Sequence, residues 1–291
     1  MPELPEVETV ANGVNDRVQG QSIESVWLSS KPQTFKTPPA EMADQLNGRR
    51  IYRVRRVGKH IVFDLSRSGE QQTAGVAESQ WIVHLGMTGR LLICDADIPF
   101  PNHTHAVLRL SSGRELRFVD PRRFGRLSIH PLVEAGGKSE SEIDAIPQGF
   151  VGPGREPLTI ALSAFRKLFL GRRLAIKSAL LNQRLLQGVG NIYADESLFR
   201  AGIRPKRMAG RLTGNELERL HASLQAVLRE AITLGGSSVS NYVDADGVRG
   251  FFQLEHRVYM RTGRPCLVCG TSIRKIVLGG RSTHYCPTCQ R

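Results

Sequence analysis

The hydrophobic pattern changes period twice along this chain. Val7, Val10, Ala11, Val14 and Val18 recur at helical spacing near the N-terminus. From about residue 22 to 130 the pattern is short apolar or alternating runs between polar turns: SIESVWL, HIVFDL, QWIVHL, RLLICD, HAVLRL and RELRFV. No helical pattern alternates with them, which predicts a mainly antiparallel sheet pair, a sandwich or flattened barrel. In RRIYRVRRVGKH, Tyr52 and Val54 alternate with Arg53 and Arg55, an apolar face against a cationic one. Both a solvated surface and a phosphate-facing strand fit that run. Residues 66–80 are polar and small and read as a hairpin loop; 134–156, rich in Gly, Ser, Glu and Pro, reads as a linker.

From about residue 158 the period becomes 3.6. Leu162, Phe165, Leu168 and Phe169 form one stripe, and Ile176, Leu180 and Leu181 another. Thr213 and Glu216 have capping-box spacing ahead of Leu217, Leu220, Leu224, Val227 and Leu228. Gly235 and Gly236 stop that helix. The following GGSSVSNYVDADGVRGFF is too poor in apolar residues for core and reads as a long flexible loop. The fold class is α+β and multidomain, divided at 1–133, 134–156, 157–240 and 241–291.

Composition narrows the partner. The 291 residues carry a net charge of +13, which favours a polyanion, nucleic acid before membrane. No apolar run approaches the roughly 18 residues of a membrane helix. The acidic N-terminus lacks the basic and apolar regions of a signal peptide. Four of the five cysteines stand in two close pairs, which suggests a reduced compartment and a metal rather than disulfides.

Those pairs are the strongest local signal. Cys266-x2-Cys269, sixteen intervening residues and Cys286-x2-Cys289 match a four-cysteine zinc site. Four thiolates close the coordination sphere, so one structural Zn2+ is expected, holding a basic hairpin with Lys275 and Arg281. Cys94, in the apolar run RLLICD, is expected to be buried and inert. In QGVGNIYADE two glycines permit a tight turn, Asn191 can cap the next helix, and the helix start offers an anion site that a DNA phosphate fits. HLGMTG and DPRRFG fall at strand ends; Met87 and Phe124 suit either a core or a wedge entering a base stack. His103 and His105 alternate on a strand and read as structural. At the N-terminus, Pro2 and Glu3 suit a first helical turn. Removal of Met1 would also expose a secondary amine next to a carboxylate.

PELPEVE, GK before an apolar strand, HLGMTG, DPRRFG, QGVGNIYADE and CxxC…GRSTHYCPTC occur here in one order. Over essentially its whole length the sequence closely resembles the bacterial formamidopyrimidine-DNA glycosylases, with PELPEVE the purine-type form of the N-terminus. The resemblance implies an N-terminal helix with an antiparallel β-sandwich, a helical domain with a helix–two-turns–helix, and a zinc β-hairpin. It implies a bifunctional enzyme that excises oxidised purines from duplex DNA through a proline Schiff base and cleaves abasic sites by β,δ-elimination. Pro2 corresponds to the nucleophile, Glu3 to the acid/base, Lys59 to the β-elimination lysine and Arg281 to the hairpin arginine of δ-elimination. Met87, Arg122 and Phe124 match the intercalating wedge. His103, Arg122, Arg172, Lys177 and Asn191 match phosphate contacts. Residues 241–253 lie where the family has its lesion-capping loop, and the 66–80 loop is longer than the family's usual turn. A monomer working in the cytoplasm at the nucleoid is expected. A non-catalytic zinc DNA-binding protein would explain the charge without needing a terminal Pro2. A pyrimidine-specific enzyme of the same fold would keep the chemistry and change the base. A zinc-dependent nuclease is disfavoured by the closed metal site.

Overall fold

The computed structural model describes residues 1–67, 77–132, 149–238 and 242–291. Most of the expected 66–80 loop and 134–156 linker therefore lie outside the described residues. The chain forms two compact units. The first comprises 1–2, 6–151 and 238–250; the second comprises 3–5, 152–237 and 251–291.

In the first unit α1 (Leu4–Val18) precedes β1 (Ile23–Leu28), α2 (Pro39–Leu46), β2 (Arg49–Val57), β3 (His60–Arg67), β4 (Ser79–His84), β5 (Arg90–Asp95), β6 (Thr104–Leu110), β7 (Arg114–Val119) and β8 (Arg126–Pro131). The strands make two antiparallel four-stranded sheets, ordered β1-β6-β7-β5 and β2-β3-β4-β8. The expected sandwich forms, with a helix the strand pattern did not announce: α2 begins at Pro39 and buries Met42 and Leu46, four residues apart.

The valine-rich α1 is a weak helix former, so packing decides it. Val7, Val10, Ala11, Val14 and Val18 are buried with Ile51, Phe63, Trp81, Leu108 and Phe118. Burial of a valine side chain contributes roughly 1.5–3 kcal/mol. The helix and the turn after it also cover the open edge of β2. Asn15 Oδ1 accepts from Val54 N at 2.8 Å, Ile51 O accepts from Gly20 N at 2.7 Å, and Gln21 O accepts from Ile51 N at 2.8 Å.

The alternation read in β2 is broken. The register shifts between Ile51 and Arg53, and Tyr52 stands 47% exposed. This bulge puts Ile51 and Val54, three residues apart, on the buried side. The expected pairing of Tyr52 with Val54 on one apolar face does not occur.

The segment 242–250, expected to be loose, is fastened to the first unit. Tyr242 and Ala245 are buried in its core. The Tyr242 hydroxyl donates to Glu6 O at 3.3 Å, Ile93 N donates to Ala245 O at 3.1 Å, and Asp246 pairs with Arg17.

The second unit holds α3 (Leu162–Phe169), α4 (Ile176–Leu180), α5 (Asn191–Arg200) and α6 (Gly214–Thr233), then β9 (Arg274–Leu278) and β10 (Arg281–Tyr285), an antiparallel hairpin. The capping box is present: Thr213 N donates to Glu216 Oε2 at 2.8 Å and Glu216 N to Thr213 Oγ1 at 3.3 Å. Leu217, Leu220, Leu224, Val227 and Leu228 face a core with Phe165, Phe169, Tyr193 and Phe252. The helix ends at Gly235 (φ 72°) and Gly236 (φ 81°), with Gly236 N bonded to Ala231 O at 2.7 Å. Among the described residues no helix is long and apolar enough to cross a membrane.

Candidate active site and zinc hairpin

The glycines of QGVGN seat the N-terminus. Gly190 is the N-cap of α5, and the first free amides of the helix are taken by Glu3. Ile192 N donates to Oε1 at 3.1 Å, and Tyr193 N lies 3.5 Å from Oε2. Leu4 N bonds to Gly188 O at 3.0 Å. A Cβ on Gly190 would lie 2.1 Å from the Glu3 carboxyl carbon, and one on Gly188 (φ 85°) 2.8 Å from Leu4 Cβ. The expected anion site exists, with the protein's own carboxylate in place of a phosphate. Asn191 does not cap the helix. Its Nδ2 donates to Ser282 O at 3.0 Å, from the first helical position.

In the first unit the register gathers the remaining residues at one end. His60 pairs with His84, and His84 with Arg126. The Gly58-Lys59 turn, the loop after β4 and the loop before β8 therefore lie together. α1 points its N-terminus, with Pro2, the same way: Glu8 meets Arg56 near the turn, and Asn15 meets Val54 further along β2. Pro2 is buried and Lys59 half-buried.

Asp120 organises the two loops from a fully buried position. Its carboxylate accepts from Thr88 Oγ1 at 2.5 Å, Gly125 N at 2.7 Å and Arg122 N at 3.3 Å. At Gly86 (φ 64°) a Cβ would lie 2.5 Å from Gly125 N, so the loops nest only through glycine. The result pushes Met87 (41% exposed) and Phe124 (47%) outward, with the Arg122 guanidinium 4.8 Å over the Phe124 ring. Neither Met87 nor Phe124 is core.

His103 is not on a strand. It lies exposed in the turn before β6 at φ 68°, where its carbonyl accepts from Asp120 N at 3.0 Å. His105 is buried between Ser29 Oγ and Asp120 O, the structural role expected of it. The His60 and His84 rings lie 4.9 Å apart, tilted 48° to each other. Burial, then the neighbouring His60, Lys59 and Arg126, lower His84 to about 4, and burial lowers His60 too, so both rings are neutral at pH 7.

The second unit buries one further candidate. Lys177 is fully buried: Nζ pairs with Asp195 Oδ1 at 2.7 Å and donates to Ser282 O at 2.7 Å and Thr283 Oγ1 at 2.9 Å. A DNA phosphate would have to displace these buried partners to reach it. Burial pulls its pKa below the ordinary lysine range against the attraction of Asp195. Asp195 also accepts from His284 N at 2.9 Å. Glu196, next in the chain, accepts from the backbone of Arg257, Val258 and Tyr259 at 2.8–3.1 Å. The acidic pair in YADE thus fastens the hairpin and the chain leading to it. Sequence reading passed over that pair, and also Asp120, although both stand in motifs it had singled out. Arg172 is half-buried beside α3, its Nε bonded to Leu168 O, and Arg281 is exposed at the start of β10.

The four cysteine sulfurs lie within 4.8 Å of one another, with Cys266–Cys289 at 3.9 Å and Cys269–Cys286 at 3.5 Å. A tetrahedral zinc with sulfurs at about 2.3 Å separates them by about 3.8 Å, so the donor set fits the metal. Val268 N and Cys289 N point at the sulfurs of Cys266 and Cys286, at 3.5 and 3.4 Å, and help carry thiolate charge. Cys94 is half-buried rather than buried, and desolvation raises its thiol pKa.

Three family descriptions match in order: the formamidopyrimidine-DNA glycosylase N-terminal domain over 1–127, its H2TH domain over 153–243, and a zinc finger found in FPG and IleRS over 263–291. A formamidopyrimidine-DNA glycosylase of Desulforamulus reducens is 40% identical, the match covering 100% of this chain and 99% of the relative. The Lactococcus lactis Fpg in complex with abasic-site DNA superposes with a TM-score of 0.83 at 32% identity, over 99% of both chains. The MutM (FPG) protein of Thermus thermophilus gives 0.79 at 38% identity, over 99% of this chain and 98% of that one. Motifs, three domain types in sequence and end-to-end relatives agree: this chain belongs to the formamidopyrimidine-DNA glycosylase family.

Proposed function

We propose that Pro2, once Met1 is removed, is the nucleophile of this enzyme and that Glu3 handles its protons. As a family member the chain is a bifunctional DNA glycosylase and abasic-site lyase that excises oxidised purines from duplex DNA. The observation that carries the residue assignment is the seat at α5: it fixes Glu3 by two backbone amides, and Pro2 is joined directly to Glu3.

Each step follows from the chemistry of an amine. The target nucleotide must leave the stack to present C1′, at a cost of a few kcal/mol. Met87, Arg122 and Phe124, projecting from nested loops, would offset that cost by filling the gap. A terminal amine with a pKa near 8 is about a tenth neutral at pH 7, enough to attack. The Pro2 nitrogen bonds to C1′ as the C1′–N9 bond breaks and the purine leaves with the electron pair, taking a proton. Glu3 protonates O4′ as the sugar ring opens, and the nitrogen becomes an iminium. A secondary amine makes an iminium that is cationic without a proton, so it withdraws electrons at any pH. Lys59 takes the C2′ proton, and the pair left behind expels the 3′ phosphate. Loss of the C4′ proton then expels the 5′ phosphate, with Arg281 stabilising the departing charge. Water hydrolyses the iminium and frees Pro2. Zinc bound to Cys266, Cys269, Cys286 and Cys289 would hold the hairpin and take no step.

His103, Arg122 and Arg172 remain proposed phosphate contacts, and Asn191 a contact shared with its bond to Ser282. Domain limits at 1–133, 134–156, 157–240 and 241–291, a monomeric state and action at the nucleoid in the cytoplasm complete the reading; the net charge of +13 supports the last.

Borohydride trapping on a duplex with one 8-oxoguanine opposite cytosine tests the nucleophile. A covalent band is expected for the processed, zinc-loaded protein and its loss or sharp reduction in Pro2→Gly. An equally strong band in Pro2→Gly, whose terminal amine is primary, would show that the secondary amine of Pro2 is not required.

A further inference from the structure

We propose that Arg56 is a positioning residue that sets the Pro2 amine against Lys59, an inference that rests on the roles assigned to those two residues above. Its side chain is 6% exposed at the end of β2. Nε bonds to Glu8 Oε2 on α1, and Nη1 donates at 3.3 Å to Gly58 O, in the residue just before Lys59.

A guanidinium is planar with donors in a rigid fork, so two acceptors on one fork are held in fixed relation. Here one acceptor rides on the helix whose start carries Pro2. Glu8 stands four residues after Leu4, about 6 Å of helical rise. The other acceptor belongs to a two-residue turn whose second residue is Lys59. Gly58 is buried at φ 60°, a conformation that gives its carbonyl little freedom. A shift at either end of the fork therefore moves one of the two reacting nitrogens relative to the other.

Two other arginines of β2 form ion pairs elsewhere. Arg49 bonds to Glu78 at 2.6 Å and Arg55 to Asp64 at 2.9 Å, both beside the sheet's own strands. Arg56 is nearly buried and Glu8 about a quarter exposed, so removing either partner also lowers stability, and the loss of rate has to be read beside the loss of Tm.

The test uses full-length, zinc-loaded Arg56→Lys and Glu8→Gln, with Arg49→Met as the control that removes a different ion pair. Single-turnover formation of the borohydride-trappable adduct is measured on an abasic-site duplex. Affinity is measured on the uncleavable tetrahydrofuran-site duplex, and Tm beside it. Adduct formation should slow about 10- to 100-fold in Arg56→Lys and in Glu8→Gln, the range set by small misplacement of reacting groups. Affinity should stay near the wild type even where Tm falls, Arg49→Met should react normally, and the double variant should be no slower than the worse single one. Normal rates in both variants would overturn the inference, as would losses that track affinity and Tm and recur in Arg49→Met. A wild type whose adduct does not depend on Pro2 would overturn the functional reading, and this inference with it.

Discussion

At the start of α5 the difference between glycine and alanine is one carbon atom, and Glu3 leaves no room for it. The 2.1 Å approach to the carboxyl carbon cannot be relieved by a small shift, because Glu3 is itself held by two amides of the same helix. Gly190→Ala should expel the carboxylate from its seat and slow adduct formation by about 100-fold, like Glu3→Gln. The two together should be no worse than either. Gly214→Ala, whose Cβ meets nothing closer than 3.8 Å, should leave rates and Tm unchanged or slightly raise Tm. Single-turnover trapping and thermal melting read both. A Gly190→Ala enzyme with wild-type rates would mean that Glu3 needs no fixed seat. Lys177 shows the other side of residue-scale reading. In a basic chain it looks like any phosphate-binding lysine, and only Asp195, eighteen positions on, takes it inside.

Among the elements, the cap of α6 carries a pH dependence. The Arg207 guanidinium, then the Thr213 amide and hydroxyl, hold the Glu216 carboxyl down at about 2, against a usual 4.5. A depressed carboxylate contributes stability that is present above its unfolded value and lost as pH falls through the folded one. The cap should therefore be intact above about pH 4.5 and fail progressively toward pH 2. Glu216→Gln should lower Tm at pH 7 and remove this part of the acid dependence, so the two melting curves converge toward pH 2. A constant Tm difference across that window would exclude the linkage. This cap was legible in the sequence because it is built from residues three apart, as were α1, the strands β3 to β7 and the cysteine knuckles. Elements with distant partners were not legible. The bulge at Tyr52 lies beside Asn15, thirty-nine positions from the Val54 N it bonds, and Tyr242 and Ala245 are buried against α1 and β5. α2 was overlooked among strands although Pro39, Met42 and Leu46 carry its pattern. The candidate site divided likewise: its motifs stood out in the chain, while the exposure of Met87 and Phe124 required Asp120 to tie two loops together.

For the molecule as a whole, the zinc hairpin is the part least able to stand by its own packing. Its cluster holds Phe199, Val258, Ile273 and the buried Cys266 and Cys286, too little apolar area to order nearly thirty residues. Binding of structural zinc contributes roughly 10–16 kcal/mol in comparable sites at pH 7, so the metal decides whether this segment folds. The attachments of the segment depend on it. Ser282 O accepts hydrogen bonds from Lys177 and Asn191, and Gln290 Nε2 donates to Ile203 O at 2.9 Å. Without the metal, Lys177 would keep Asp195 but not Ser282 and Thr283, and Arg281 would have no fixed place. Chelation, or Cys269→Ser, should leave the β-sandwich signal in circular dichroism while opening the C-terminal segment to protease. The salt dependence of DNA binding should flatten by about one unit of slope for each phosphate the protein no longer neutralises. Restored Zn2+ should return the chelated protein to its original slope. The assignment of Arg281 to the DNA would fail if metal-free protein, shown by elemental analysis to lack zinc, kept both the wild-type slope and the wild-type protease pattern.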